Sequence, residues 1–361
     1  MTAYALAILD DDSLSHPRLE FVCTVCEEVG MEGATGIDVS MLKGKKLLNM
    51  DSEEEGVMLA SCAGGCRADV KLPVERETVS GTKLTVSLSG LTGGHSGSEI
   101  DKGRGNANIL MSRLLRDASA PVAIASIDGG RKDNAIPREC TAQIIVAPDE
   151  AAAVKASIEQ AAAEIAEEFK ASDPDLKLTV SEETDCSESA ISAKDSARVI
   201  ALIEALPNGI IRMSREIDKL VETSLNLGVL KSDDAAVTLR YAVRSSVGVA
   251  KKSLKNQLVC IAGAFAAEVT FEGDYPAWEY KKDSKLREDM VRIFEEMYGK
   301  KPTVEAIHAG VECGLLSGKI EGLDCISMGP DMYDIHTTEE RLSISSAKRS
   351  YEYILRVIAC K

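Results

Sequence analysis

The two ends of this chain carry one kind of hydrophobic pattern and the middle carries another, and that division constrains the fold more than any other feature. Near the start, residues 3–9 (AYALAIL) read as the end of a helix, 19–26 (LEFVCTVC) as a strand and 46–50 (KLLNM) as a short strand ending at Asp51. The same character returns after Trp278: a helix over 284–298, strands over 303–310 (TVEAIHAG) and 323–329 (LDCISMG), and a closing helix near 343–359. Continuous apolar strands with acids at their C-terminal ends are the mark of an α/β sheet covered on both faces.

From about residue 65 the strands alternate instead, as half-buried strands do: KLTVSLSG (83–90), ECTAQIIVA (139–147) and KLTVSE (177–182), with helical patterns at 104–117 and 149–171. With PVAIASI (121–127) as the second strand, the order is strand, helix, strand, strand, helix, strand, which is the ferredoxin-like sandwich. A looser second pass follows, with a helix at 194–206, strands at 221–230 and 236–244, a helix at 249–267 and a strand at 268–272, and reads as a partial repeat. The prediction is an α/β domain split into 1–64 and 279–361 around an inserted α+β domain, 65–278. Its halves then meet in space, so that acids near 27–51 and groups near 336 face one site.

Charge excludes some functions. Lys and Arg number 42 against 58 Asp and Glu among 361 residues, a net charge of −16, and no basic cluster exceeds Lys45-Lys46 or Lys251-Lys252. A nucleic-acid partner is not expected, because a polyanion needs a basic footprint. AYALAIL is too short for a signal peptide or a span, has no Lys or Arg before it and runs into Asp10-Asp11-Asp12; no other window approaches a span, so no membrane role is expected. The ten cysteines are scattered, which predicts a reduced, cytoplasmic setting.

Several residues stand out chemically. Glu27 and Glu28 end the apolar run VCTVC, where open α/β sheets place ligands. On an extended segment neighbouring side chains diverge, so one carboxylate is free for a metal while the other faces water; a solvated strand end is the bland alternative. Asp51 stands directly at its strand end and is the ligand candidate of the acidic run that follows. His336, in the loop GPDMYDIHTTEERL, joins two carboxylates as a zinc set. His95 lies on the glycine-rich GLTGGHSGSEIDKGRGNAN, either in an ordinary turn or as a donor to a developing oxyanion. His16, in an exposed polar turn, is read as inert. Cys23 with Cys26 and Cys62 with Cys66 suggest a four-cysteine site or a redox module, but on a strand residues three apart face opposite ways.

Taken together, CTVCEEVGMEGA (23–34), LLNMDSEEEG (47–56), GLTGGHSGSEIDKGRGNAN (90–108), DNAIPRE (133–139), IHAGVECGL (307–315) and GPDMYDIHTTEERL (329–342) resemble the M20 metallopeptidases, and within them the aminoacyl-histidine (Xaa-His, carnosine-cleaving) dipeptidases. The resemblance implies a zinc-peptidase-like α/β catalytic domain with the insertion as a lid, two Zn²⁺ per subunit with Mn²⁺ or Co²⁺ left open, a small dipeptide substrate and a homodimer. By the same motifs Glu27 is the general base and Glu28 and His336 bind the second zinc. Asp51 binds the first zinc, and His95 polarises the scissile carbonyl. Asn134 and Arg244 hold the substrate's carbonyl and C-terminal carboxylate, and Glu312 meets its amino group.

The family pattern also places a His-x-Asp motif and a further Asp upstream of the position matching Met1. On that ground the expectation is an N-terminally truncated catalytic domain with weak metal binding and little activity by itself. The alternative expectation is an inactive homologue acting through association with other subunits.

Overall fold

Strands from both ends of the chain build one four-stranded sheet, in the order Lys46–Asn49, Asp324–Ser327, Val57–Cys62, Thr303–Ile307. The first two pair in parallel, as do the last two. The computed structural model describes every residue except Val29 and Lys361. Helices Lys285–Tyr298 and Ile344–Ala359 cover this sheet, burying Met290, Phe294 and Tyr353 against Met58, Ala60 and Ile326. Both helices start where the sequence supplies a cap: Ser284 accepts from the Arg287 N–H and Ser343 from the Ser346 N–H. The first ends at Gly299 in the left-handed conformation.

The middle of the chain forms a nine-stranded sheet. Arg76–Ser89 lies between Lys177–Ile191 and Cys140–Val146, with Ala123–Gly129 beyond, all antiparallel. Helices Ala107–Arg116 and Ala151–Phe169 complete the ferredoxin-like order read from the sequence. The second pass is a complete unit of the same kind. Gly64–Pro73 lies between Glu268–Tyr275 and Ala236–Ser245, with Val221–Ser232 beyond. The two units join where Leu230 pairs with Gly129 and Lys231 with Asp128.

The first unit is thus inserted after the opening strand of the second. Its entry and exit lie together, because Glu75 donates its N–H to Asp195 and its carbonyl accepts from Ser192. The strand Gly64–Pro73 was not predicted, although Cys66, Ala68, Val70 and Leu72 alternate as buried residues. Val57–Cys62, Gly209–Met213 and helix Glu312–Lys319 were also unread.

One prediction fails. Residues 19–26 form no strand. A strand needs an edge to supply ladder partners, and none of the described strands pairs with this segment. The Glu20 carboxylate accepts from the Lys43 and Gly44 N–H groups, and the Val25 carbonyl from Gly33 at 2.9 Å. Val25 is left 68% exposed. Glu27 and Glu28 therefore sit in a turn, and their separation does not come from strand alternation.

Candidate active site

The chain bends at Val25 and turns at Glu27, whose carbonyl accepts from Gly30 and Met31. Just before the turn, the Thr24 hydroxyl donates to Glu312 Oε1 at 2.6 Å, tying this segment to helix Glu312–Lys319. Asp51 follows strand Lys46–Asn49 and is steadied by its neighbour: Ser52 donates its N–H to the Met328 carbonyl, and its hydroxyl lies 2.9 Å from that of buried Ser327. His336 comes from a loop closed by the pairing of Met332–Tyr333 with Arg341–Leu342. Its backbone is left-handed, φ 61°, and its N–H donates to Glu340. Its Nε2 lies 3.0 Å from Glu28 Oε2.

Glu27, Glu28, Asp51 and His336 line one cavity of about 900 Å³, with Glu312 beside its lining residue Val311. Burial, then Asp51, Glu28 and Glu312, push the Glu27 carboxyl above the usual carboxylate range, with His336 opposing. Asp51 is exposed at the cavity surface, yet its carboxylate is crowded by protein. Burial, then Glu312, Glu28 and Glu53, push it up too. Among the described residues, no Lys or Arg pairs with any of these acids, and the one nitrogen partner in reach is the His336 ring. Uncompensated carboxylates beside an imidazole are the oxygen and nitrogen donors that a borderline divalent cation takes, so the residues fit a metal by charge and donor chemistry. Among the described residues no three His, Cys, Asp or Glu converge tightly enough to hold an ion unaided. A four-cysteine site is absent with them: Cys23 and Cys26 are exposed, Cys62 and Cys66 buried, and all are free thiols.

A second group gathers where a small two-stranded sheet, Gly94–His95 with Ala135–Ile136, lies by strand Ala236–Ser245 of the large sheet. His95 pairs with Ala135, and the Asn134 carbonyl accepts from the Ser96 N–H at 2.9 Å. His95 Nδ1 accepts from the Ser98 N–H at 3.1 Å, which leaves the proton of the neutral ring on Nε2. Burial, then the Arg244 charge, lower the His95 pKa, so the ring is neutral and presents an N–H. Gly97 allows the close approach: a methyl there would meet His95 Cε1 at 2.9 Å and Arg244 Nε at 3.2 Å. Arg244 donates to the Tyr275 hydroxyl at 3.4 Å, and its Nε is buried without a partner. The Asn134 side chain is exposed.

The structure thus brings Glu27, Glu28, Asp51, Glu312 and His336 together, and separately His95, Asn134 and Arg244. Among the described residues no ion pair joins the two groups. Between them lies a residue the sequence reading left without a role. His308 is 5% exposed, its Nε2 lies 2.7 Å from the Ser224 hydroxyl, and its carbonyl approaches Gly97. The signal that marked it was a histidine inside the apolar run TVEAIHAG. His16 is exposed, its ring 2.8 Å from the Pro17 carbonyl.

Comparison with known proteins places the chain as a whole. Residues 86–173 match the family M20_dimer, described as a peptidase dimerisation domain. The cytosol non-specific dipeptidase of Escherichia coli (strain K12) is 35% identical over 348 residues, which are 95% of this chain and 72% of that protein. The crystal structure of an aminoacylhistidine dipeptidase from Vibrio alginolyticus matches with a TM-score of 0.91 at 32% identity, covering 99% of this chain and 74% of that one. That match takes in both the small sheet and the large one, an α/β domain with an inserted dimerisation lid. Both relatives bear the names of dipeptidases, and neither comparison supports the alternative expectation of an inactive homologue.

Proposed function

The chain belongs to the M20 peptidase family, and on that premise we propose that it is a zinc-dependent dipeptidase hydrolysing aminoacyl-histidine substrates. The observation that carries the reading is the gathering of Glu27, Glu28, Asp51 and His336, from opposite ends of the chain, on one cavity. In this reading Glu28 and His336 hold one metal ion and Asp51 the other, with Mn²⁺ and Co²⁺ as alternatives that the same donors accept. When bound, the metal supplies Lewis acidity, making water a better nucleophile at neutral pH and polarising a carbonyl.

The chain's own groups do the rest. Glu27, its carboxyl pushed up, takes a proton from the attacking water and returns it to the leaving amine. His95 presents its Nε2 proton to the oxygen that gains charge, with Asn134 nearby as a second donor. Arg244 pairs with the substrate's C-terminal carboxylate, and Glu312 with its amino group. Residues 65–278 act as the lid that carries His95, Asn134 and Arg244 to the acids of 1–64 and 279–361. The match to a dimerisation domain supports a homodimer. Ten free thiols and a relative named for the cytosol support a cytoplasmic setting.

The test is hydrolysis of β-alanyl-histidine and a panel of Xaa-His dipeptides by the full chain, with and without chelator. Cleavage abolished by chelation and restored by zinc is expected. No cleavage of any dipeptide with Zn²⁺, Mn²⁺ or Co²⁺ overturns the reading.

A further inference from the structure

We propose that His308 is a second hydrogen-bond donor to the substrate's carboxylate, acting beside Arg244, so that the two select a free C-terminus. The proposal deepens the dipeptidase reading and rests on it. His308 is 5% exposed and its Nδ1 has no partner among the described residues. Buried ring nitrogens are almost always satisfied, so one left open is available to a ligand. The Arg244 Nε and the Ser96 hydroxyl are buried and unpartnered in the same way.

The Arg244 side chain and the His308 backbone lie close together: a methyl on Gly97, the residue after Ser96, would lie 2.6 Å from the His308 carbonyl oxygen and 3.2 Å from Arg244 Nε. The Arg244 charge also acts on the His308 ring.

The tautomer follows from the partner. Ser224 is 1% exposed, and His308 is the only partner of its hydroxyl among the described residues. The hydroxyl hydrogen therefore goes to Nε2, the one acceptor in reach, and the ring's own proton sits on Nδ1 as a donor. Burial, then Arg244 and His95, push the His308 pKa down to about 3, so the ring stays neutral and keeps a single N–H. Arg244 has no ion pair among the described residues; its one side-chain partner is the Tyr275 hydroxyl. One fixed cation with an unshared Nε–H, beside a neutral N–H donor and a hydroxyl, is a pocket for a carboxylate.

The experiment compares the full chain with His308→Leu and His308→Asn on a Xaa-His dipeptide and on the same dipeptide amidated at its C-terminus. Leu should raise KM for the free acid by roughly 10- to 100-fold, as loss of a hydrogen bond to a charged group does. The amide should move less than about threefold, and Asn, whose amide N–H falls near the position of Nδ1–H, should recover much of the loss. Equal KM rises for both substrates, or an unchanged KM in the Leu variant, overturn the proposal. Imidazole ¹⁵N shifts of the unmodified full chain, titrated with L-histidine and with L-histidinamide, decide it independently of turnover and of the variants' folding. The His308 Nδ1 signal should move with the acid and not the amide, and the opposite result refutes the assignment. Absence of all hydrolysis would overturn the dipeptidase reading alone, since this titration still reports on the pocket.

Discussion

His336 Nε2 meets Glu28 Oε2 at 3.0 Å, although both side chains are mostly exposed, at 65% and 71%. An exposed pair of this kind contributes little to stability. Its place on the wall of a cavity crowded with acids suits the ligand role proposed for it better than that of a brace.

His336→Ala should therefore leave the fold intact while removing bound metal and activity. Zinc content per chain, read by elemental analysis, should fall, and kcat/KM should drop by at least about 100-fold. Full zinc content in the variant would refute the assignment.

Glu27→Gln should lower kcat by about 10²- to 10⁴-fold, the usual worth of a positioned acid–base group. The base works only when ionised, and Glu27 is held above the ordinary carboxylate range by burial and by Asp51, Glu28 and Glu312. In the metal-free chain the Glu27 carboxyl should accordingly titrate above that range, read by carbon-13 NMR of the labelled chain with Glu27→Gln identifying the signal. Titration at ordinary carboxylate pH, or full activity in the Gln variant, would contradict this.

Thr24→Val keeps the shape of the side chain and removes the 2.6 Å hydrogen bond to Glu312. With Glu312 free to move away from the substrate's amino group, KM should rise by about tenfold with a smaller change in kcat. A loss confined to kcat would instead place Thr24 with the Glu27 turn.

His308 makes acid stability a readout. The unfolded chain takes up its proton near 6.5, whereas the folded ring resists protonation down to about 3. The stability this confers is complete above about 6.5 and is lost as pH falls below it, by at most about 1.4 kcal/mol per pH unit. Urea unfolding at pH 7, 6 and 5 should show a steeper loss of stability in the wild type than in His308→Asn, where His95, also lowered, still contributes. Parallel curves would mean the ring is not held neutral.

Much of the fold was legible locally. Helices capped by Ser284 and Ser343, and the alternation of 83–90, 139–147 and 177–182, depend on neighbours a few residues away. The acids Glu27, Glu28 and Asp51 and the imidazole of His336 were found by their motifs. The strand over 64–73 was hidden because Gly64 and Gly65 break the look of its alternation, and the false strand over 19–26 had the right composition but no edge to pair with. His308 passed without a role because nothing in its neighbours shows that Ser224 lies against it.

By itself the sequence determined the periods of the long helices and of many strands, the acidic charge that argues against a polyanion partner, and the residue types of the proposed metal site. Local steric preference and side-chain spacing are enough for that. Only the tertiary structure decided that the second ferredoxin-like unit is complete and that Glu27 sits on a turn. It also decided that Glu28 meets His336 and that Arg244 Nε and His308 Nδ1 are buried without a partner among the described residues. Those outcomes depend on hydrogen-bond partners and burial supplied by residues far away in the chain, and such partners exist only once the chain has folded.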